Sequence, residues 1–248
     1  TYTPNVEIYS IDEAFLKFEG FDHFDLIESG FRMRKQVRQW TGIPVSVGLA
    51  PSKALAKIAN KIAKKFDQKT GGVYAIDSAE KRLKALKWSP IEDVWGVGRQ
   101  HAKRLKAMQI ETALDFVNLP DEWVKKHMSI LGLRLKRDLE GIPSIQLEEF
   151  APSKKSIATT RSFKNVLNIF TSLEERITTF TLLGAEKLRK QKSCATALHV
   201  FVRSNPFNPD AVQYRNGCTL TLPHATDSNF VLNRYALMGL RSIFKPGI

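Results

Sequence analysis

Residues 44–76, PVSVGLAPSKALAKIANKIAKKFDQKTGGVYAI, leave the chain few folds to choose from. A short β-branched run ends at Ala50-Pro51, a helix begins at Ser52 and reaches Phe66, and Gly71-Gly72 leads into a second short strand, VYAI. In the helix, Leu55, Ile58, Ala59, Ile62 and Phe66 recur at helical spacing and form the face to be buried. Its small alanines let it lie close on a sheet. Lys53, Lys57, Lys61 and then Lys64 or Lys65 recur at three or four residues on the other side, a cationic stripe. Such a stripe is either a solvated face or, beside metal-binding acids, a set of ammonium groups for the oxygens of a triphosphate.

Upstream, EIYSIDEAFLKF (7–18) interrupts an apolar, strand-like run with Asp12 and Glu13. VEIYSI and AFLKFEG read as strands on either side, and residues 23–40 carry apolar positions at helical spacing. Neighbouring residues of a regular strand point to opposite faces, so both carboxylates reach one site only where the strand ends or bulges. There they would suit magnesium, which prefers hard oxygen ligands. The alternative is a solvated hairpin turn.

From Asp77 onward the pattern is helical: AEKRLKALKW, RQHAKRLKAMQI, TALDFVNL, DEWVKKHM and LRLKRDLEG, punctuated by proline and by Gly96, Gly98, Gly132 and Gly141. Within DVWGVGRQHAKRLKAMQI (93–110), Gly96-Val97-Gly98 allows a tight turn, and the amides opening the basic helix behind it carry partial positive charge. This resembles a helix-hairpin-helix module, in which Gly96, Gly98 and Gln100 would supply backbone contacts to a phosphate with Arg99, Lys103 and Arg104 nearby; the alternative is a turn that needs no ligand.

Around EEFAPSKKS the periodicity lapses, as in a linker. Beyond it SIATTRSF, ATALHVFVRS and CTLTLP read as strands, with a long helix near 170–192 and another in NFVLNRYALMGLRSIF. The expected organisation is three regions, 1–79, 80–150 and 151–248. Charge separates them: 38 Lys and Arg against 25 Asp and Glu give the chain +13, and the last region, with 14 basic and 5 acidic residues, holds +9 of it. A polyanionic partner is implied. Lys154, Lys155, Arg161, Lys164, Arg203 and Arg215 lie in or beside its strands, where alternation would align charge on one face. Phe163, Phe201, Phe207, Tyr214 and Phe230 are read as core or structural, and His199 and His224 as having no chemistry. Cys194 and Cys218 have neither zinc-site spacing nor the number for a disulfide framework. With no apolar run near 18 residues and no basic-apolar leader, a soluble, cytoplasmic protein is expected.

Taken together, YSIDEAFL, GIPVSVGLAPSKALAKIANKIAKK, the GVG turn, and RSF followed by FVRSNPF resemble, in that order, the Y-family lesion-bypass DNA polymerases of the UmuC type, the type of the catalytic subunit of bacterial DNA polymerase V. The resemblance spans nearly the whole chain. It implies an α+β, multi-domain fold: a partial palm (1–79, a mixed sheet plus helices), an all-helical thumb with a helix-hairpin-helix (80–150), and a linker with an α/β little finger (151–248). It implies Asp12 and Glu13 as two of three metal-binding carboxylates for Mg2+, and Lys64 as the lysine on the incoming dNTP. Lys53, Lys57, Gly96, Gly98, Arg99, Gln100, Lys103, Lys155, Arg161, Lys164 and Arg203 become DNA contacts. The implied partners are primer-template DNA, a UmuD-type dimer, a RecA-type filament and a sliding clamp. The implied activity is error-prone translesion synthesis in SOS mutagenesis and DNA repair.

Both ends depart from the family pattern. The earlier palm segment with the third carboxylate, the fingers and the aromatic steric gate do not precede Thr1, and the last little-finger strand and the partner-binding tail do not follow FKPGI. The expectation is a fragment that binds DNA without polymerising. The alternatives are a non-catalytic, polymerase-like DNA-binding or mutasome-assembly protein, and a helix-hairpin-helix module with unrelated flanks.

Overall fold

Helix α2 (Lys53–Lys65) organises the N-terminal half of the computed structural model, which describes residues 2–21, 23–148, 153–208, 210 and 212–246. Ser52 caps it, its hydroxyl accepting from the Leu55 N–H, and Ala54, Leu55, Ile58, Ala59, Ile62 and Ala63 are buried. Strands β3 (Val47–Leu49) and β4 (Val73–Ala75) pair in parallel on either side of this crossover, Val47 opposite Val73. Gly48 is what lets the helix lie so close: a Cβ there would collide with the backbone of Ala56 and Asn60. Phe66, assigned from the sequence to the buried face, is instead part-exposed and packs on Trp88 at 5.7 Å.

Ahead of this unit, β1 (Val6–Ile8) and β2 (Ala14–Leu16) form an antiparallel hairpin, and α1 (Leu26–Thr41) runs from the Asp25 cap to Gly42 at φ +72°. The predicted mixed sheet is therefore two separate two-stranded ladders among the described residues, one antiparallel and one parallel. After the short α3 (Asp67–Thr70) come α4 (Ala79–Trp88), a 3₁₀ turn at Ile91–Asp93, α5 (Arg99–Ala107), α6 (Ala113–Val117) and α7 (Asp121–Leu139). The break expected at Gly132 falls at Ser129, whose φ of 63° and ψ of −171° leave the helical region.

One hydrophobic core runs from α2 through Ile76, Leu86, Ile91, Leu105 and Phe116 to Leu135 and Leu139, so residues on both sides of position 79 share it. Asp138, wholly buried, accepts from the backbone N–H groups of Ser144 (2.7 Å), Ile145 (3.1 Å) and Ala54 (3.3 Å), tying the end of α7 to the start of α2.

Helix α6 carries a capping box: Thr112 and Asp115 each accept from the other's backbone N–H. The Thr112 hydroxyl, donating at 2.8 Å, and then the Thr112 and Glu111 amides hold the Asp115 carboxyl below the usual carboxylate range. Because the folded pKa is the lowered one, this stabilisation is complete above the ordinary carboxylate pKa and is lost as pH falls through the folded value. Thr112→Ala should therefore cost about 1 kcal/mol at neutral pH. In urea unfolding, the gap from wild type should narrow towards about pH 3.

The chain divides into two compact units, Thr1–Ala151 and Pro152–Ile248. Residues 149–152 of the predicted linker lie outside the described residues. The second unit contains α8 (Phe170–Lys190), β5 (Ala195–Arg203), β6 (Arg215–Thr226) and α9 (Asn229–Ile243). Both helices cover one face of the antiparallel β5–β6 pair, where Val200, Ala236, Leu240 and Ile243 are buried with Leu173 and Ile177 against them. The ladder slips between Ala195 and Ala197, which pair with Thr226 and Thr221, and Pro223, without an N–H to donate, lies in the slipped stretch of β6. SIATTRSF is not a strand: among the described residues it takes part in no ladder. Among the described residues no helix is long and apolar enough to cross a membrane.

Candidate active site

The tip of the β1–β2 hairpin is a tight turn in which the Tyr9 and Ser10 amides both donate to the Glu13 carbonyl at 3.0 Å. Asp12 and Glu13 emerge from this turn exposed. Asp12 accepts from the Ser10 hydroxyl at 2.6 Å, whereas Glu13 reaches across to α2 and pairs with Lys57 at 2.5 Å. The structure thus brings Glu13 to the lysine helix but joins Asp12 to it by no hydrogen bond or ion pair.

The stripe on α2 is not an open cationic face. Lys53 pairs with Glu7 at 2.6 Å, Lys57 with Glu13 and Lys61 with Asp93 at 2.5 Å. Lys65 lies over the Trp88 ring at 5.2 Å. Lys64 is exposed and makes no ion pair or hydrogen bond among the described residues. Three acids from three separate segments therefore stitch the hairpin and the 3₁₀ turn onto α2, and one cation next to them remains open.

Glu7 is the residue that sequence reasoning overlooked. In β1 the usual alternation is inverted: Glu7 is 5% exposed while its apolar neighbours Val6 and Ile8 are 36% and 82% exposed. The Lys53 ammonium and the Glu148 N–H (2.8 Å) satisfy its carboxylate. Lys53 also donates to the Gln146 carbonyl at 3.3 Å and lies over Phe15, 4.7 Å from its centroid. Lys53, expected to touch DNA, is committed inside the fold.

Trp95, also overlooked, joins two motifs that read as separate in the sequence. Its indole N–H donates to the Tyr9 hydroxyl at 2.8 Å, and its ring packs on Tyr9 and Phe15, both at 5.8 Å. The acidic hairpin thus rests on the residue immediately before Gly96. Gly96 has φ +89°, a conformation that favours glycine. Gly98 has φ −73° and open space around its Cβ position, so nothing inside the chain requires glycine there. It leads into α5 without a side-chain cap, with Arg99, Gln100 and Lys103 exposed. Arg104 donates to the His127 carbonyl at 3.0 Å. Lys106 pairs with Glu92, and that hydrogen bond holds the Glu92 carboxyl below its usual range.

In the second unit, Lys155, Arg161 and Lys164 are exposed on the segment before α8, and Arg203 and Arg215 sit opposite one another on β5–β6. Tyr214 is structural, its hydroxyl donating to the Ile243 carbonyl. Phe163, Phe201, Phe207 and Phe230, expected to be core or structural, are exposed.

As a cation site, the hairpin offers two hard-oxygen carboxylates open to solvent, and the Lys57 ammonium already stands against one of them as positive compensation. The donor set fits part of a magnesium site. Among the described residues, no cluster of three or more His, Cys, Asp or Glu side chains completes it.

The impB/mucB/samB family model matches residues 1–61, and that of the family's C-terminal domain matches residues 154–248. The chain is 37% identical over 246 residues to Protein UmuC of Salmonella typhimurium, and 33% identical over 245 residues to Protein MucB of the same species. Each alignment covers 98% of this chain and 58% of the relative, so the chain spans a little over half the length of the curated relatives it matches. The fold resembles that of a Y-family DNA polymerase chimera with a TM-score of 0.65 at 20% identity, over 97% of this chain and 66% of the other.

Proposed function

The chain belongs to the impB/mucB/samB family, and on that premise we propose that it forms part of a UmuC-type, error-prone translesion DNA polymerase that extends a primer on damaged template. The observation that carries this reading is the meeting of Glu13 at the hairpin tip with the lysine row of α2, where Lys64 stays unpaired beyond it. Carboxylates for a cation and an ammonium for phosphate oxygens are what nucleotidyl transfer needs on adjoining elements.

Asp12 and Glu13 would hold Mg2+, which when bound supplies Lewis-acid activation of a primer 3′ hydroxyl and charge compensation for departing pyrophosphate. Lys64 would receive the triphosphate of a dNTP as a point charge. Residues 1–79 act as palm, 80–150 as thumb and 151–248 as little finger. The Gly96–Gly98 turn, with Arg99, Gln100 and Lys103, grips a DNA phosphate through the opening of α5. Lys155, Arg161, Lys164 and Arg203 follow the backbone of primer-template DNA. Among the described residues no third carboxylate joins Asp12 and Glu13 in a cluster, and the reading proposed for the 248-residue chain is DNA binding without extension. A UmuD-type dimer, a RecA-type filament and a sliding clamp are its proposed partners in the whole protein.

Fluorescence anisotropy on a labelled primer-template tests the DNA reading. With six or more phosphate contacts, affinity should fall about a thousandfold between roughly 50 and 200 mM salt, with little sequence preference. A flat salt response would count against phosphate-led binding. Gly98→Ala should leave stability unchanged while lowering affinity roughly tenfold, the worth of one charge-assisted hydrogen bond. Gly96→Ala should instead lose about 1–2 kcal/mol of stability, because alanine is strained at positive φ.

A further inference from the structure

Trp95 stands at the corner of a turn that the core holds in place. Val94 and Val97 on either side of that corner are 3% and 7% exposed, and the Val97 N–H donates to the Val94 carbonyl at 3.0 Å. Trp95 and Gly96 are thereby the two central residues of the turn, and the second of them has the positive φ, +89°, that such a turn takes from glycine. Just upstream, Glu92 pairs with Lys106 of α5 and Asp93 with Lys61 of α2, so the approach to the turn is tied to both helices. From this anchored corner Trp95 reaches the acidic hairpin.

On the hairpin, Tyr9 receives that contact and relays it to Glu13 by two routes. Its hydroxyl accepts from the Trp95 indole N–H at 2.8 Å, while its own backbone N–H donates to the Glu13 carbonyl at 3.0 Å. Its ring lies 5.6 Å from the Lys57 ammonium, and the same ammonium pairs with the Glu13 carboxylate at 2.5 Å. Phe15, opposite Glu7 in the ladder, closes the group with its ring 5.5 Å from Tyr9 and 5.8 Å from Trp95. Tyr9 is 44% exposed, so burial alone does not fix its ring, and the indole, which can only donate, supplies the direction.

One hydrogen bond thus joins the turn read above as a phosphate grip to the hairpin read above as a cation site. We infer that Trp95 and Tyr9 are positioning residues for primer extension: a phosphate seated at the Gly96–Gly98 turn steadies Trp95, and through the Tyr9 hydroxyl this holds the Glu13 backbone and carboxylate in the orientation that a divalent cation requires. Neither residue touches the cation or the nucleotide. Their role rests on the two-carboxylate reading and adds to it that the grip on DNA and the affinity for the cation are coupled. Such coupling is reciprocal, each ligand tightening the other by the same factor.

Primer extension by a protein of the relatives' full length, measured against Mg2+ concentration, tests the link. Tyr9→Phe keeps the ring beside Lys57 and removes only the acceptor. It should raise the Mg2+ concentration for half-maximal rate about fivefold, the worth of one hydrogen bond, while saturating Mg2+ restores the wild-type maximal rate. Primer-template affinity without divalent cation should not change, and its gain on adding Mg2+ should shrink by the same factor. Trp95→Phe, which loses the donor, should shift the Mg2+ requirement in the same direction, and the double variant should need no more Mg2+ than the worse single one, because both remove one bond. An unchanged Mg2+ requirement in a folded Tyr9→Phe protein, or single losses that simply add in the double variant, overturns the link and leaves the two carboxylates in place. Wild-type extension that survives loss of Asp12 and Glu13 overturns the cation reading itself, and the link with it.

Discussion

In a protein extended to the full length of the relatives that this chain matches, Asp12→Ala is expected to lower primer extension by at least about a hundredfold, without a comparable change in affinity for primer-template DNA. Among the described residues the Asp12 side chain hydrogen-bonds only the hairpin's own Ser10, so its removal breaks no hydrogen bond to another element, and a large kinetic effect is expected to come from the oxygen ligand that is lost. Glu13→Gln makes a useful contrast. It keeps the shape but weakens the tie to Lys57, so a gain in disorder at the hairpin that Asp12→Ala lacks should accompany a similar kinetic loss. Extension by Asp12→Ala at the wild-type rate would remove this residue from the catalytic account.

Lys53 should act on stability and not on DNA binding. Its side chain is 10% exposed and pairs with a buried Glu7, so Lys53→Met leaves a buried carboxylate without its counter-charge, a loss of about 3 kcal/mol. The double replacement Glu7→Leu with Lys53→Met removes both charges and should recover most of that loss in urea unfolding. Where the folded fraction is kept high, the salt dependence of DNA binding should match wild type, because an ammonium held inside the fold releases no counterion from DNA. A Lys53→Met chain as stable as wild type but with a shallower salt slope would restore Lys53 to the DNA contacts.

Helix α2 was legible because thirteen residues of helical period state which side is buried, and the alanines showed that the packing would be close. The partners of its lysines were not legible. Glu7, Glu13 and Asp93 come from two three-residue strands' surroundings and a 3₁₀ turn, and segments that short carry no period from which a facing direction can be read. In β1 the flanking Val6 and Ile8 pointed the wrong way, since an acid inside and aliphatics outside makes sense only once Lys53 is in place. ATALHVFVR presents apolar residues on both parities, so its buried face was decided by where α8 and α9 pack, and Phe201 fell on the open side. SIATTRSF had strand composition without a partner strand to pair with. The break in α7 took Ser129 and passed over Gly132, whose position against Met128 and Val124 inside the core suits a residue without a side chain.

The account depends on the hairpin carboxylates and the α2 lysines serving one cation-and-phosphate site. Anomalous scattering from Mn2+ in crystals of the full-length protein with primer-template and an incoming nucleotide tests this directly. The expected result is a metal peak in bonding contact with Asp12 and Glu13, with the Lys64 ammonium against the triphosphate. A peak coordinated by other side chains, with Asp12 and Glu13 left in water, would contradict it.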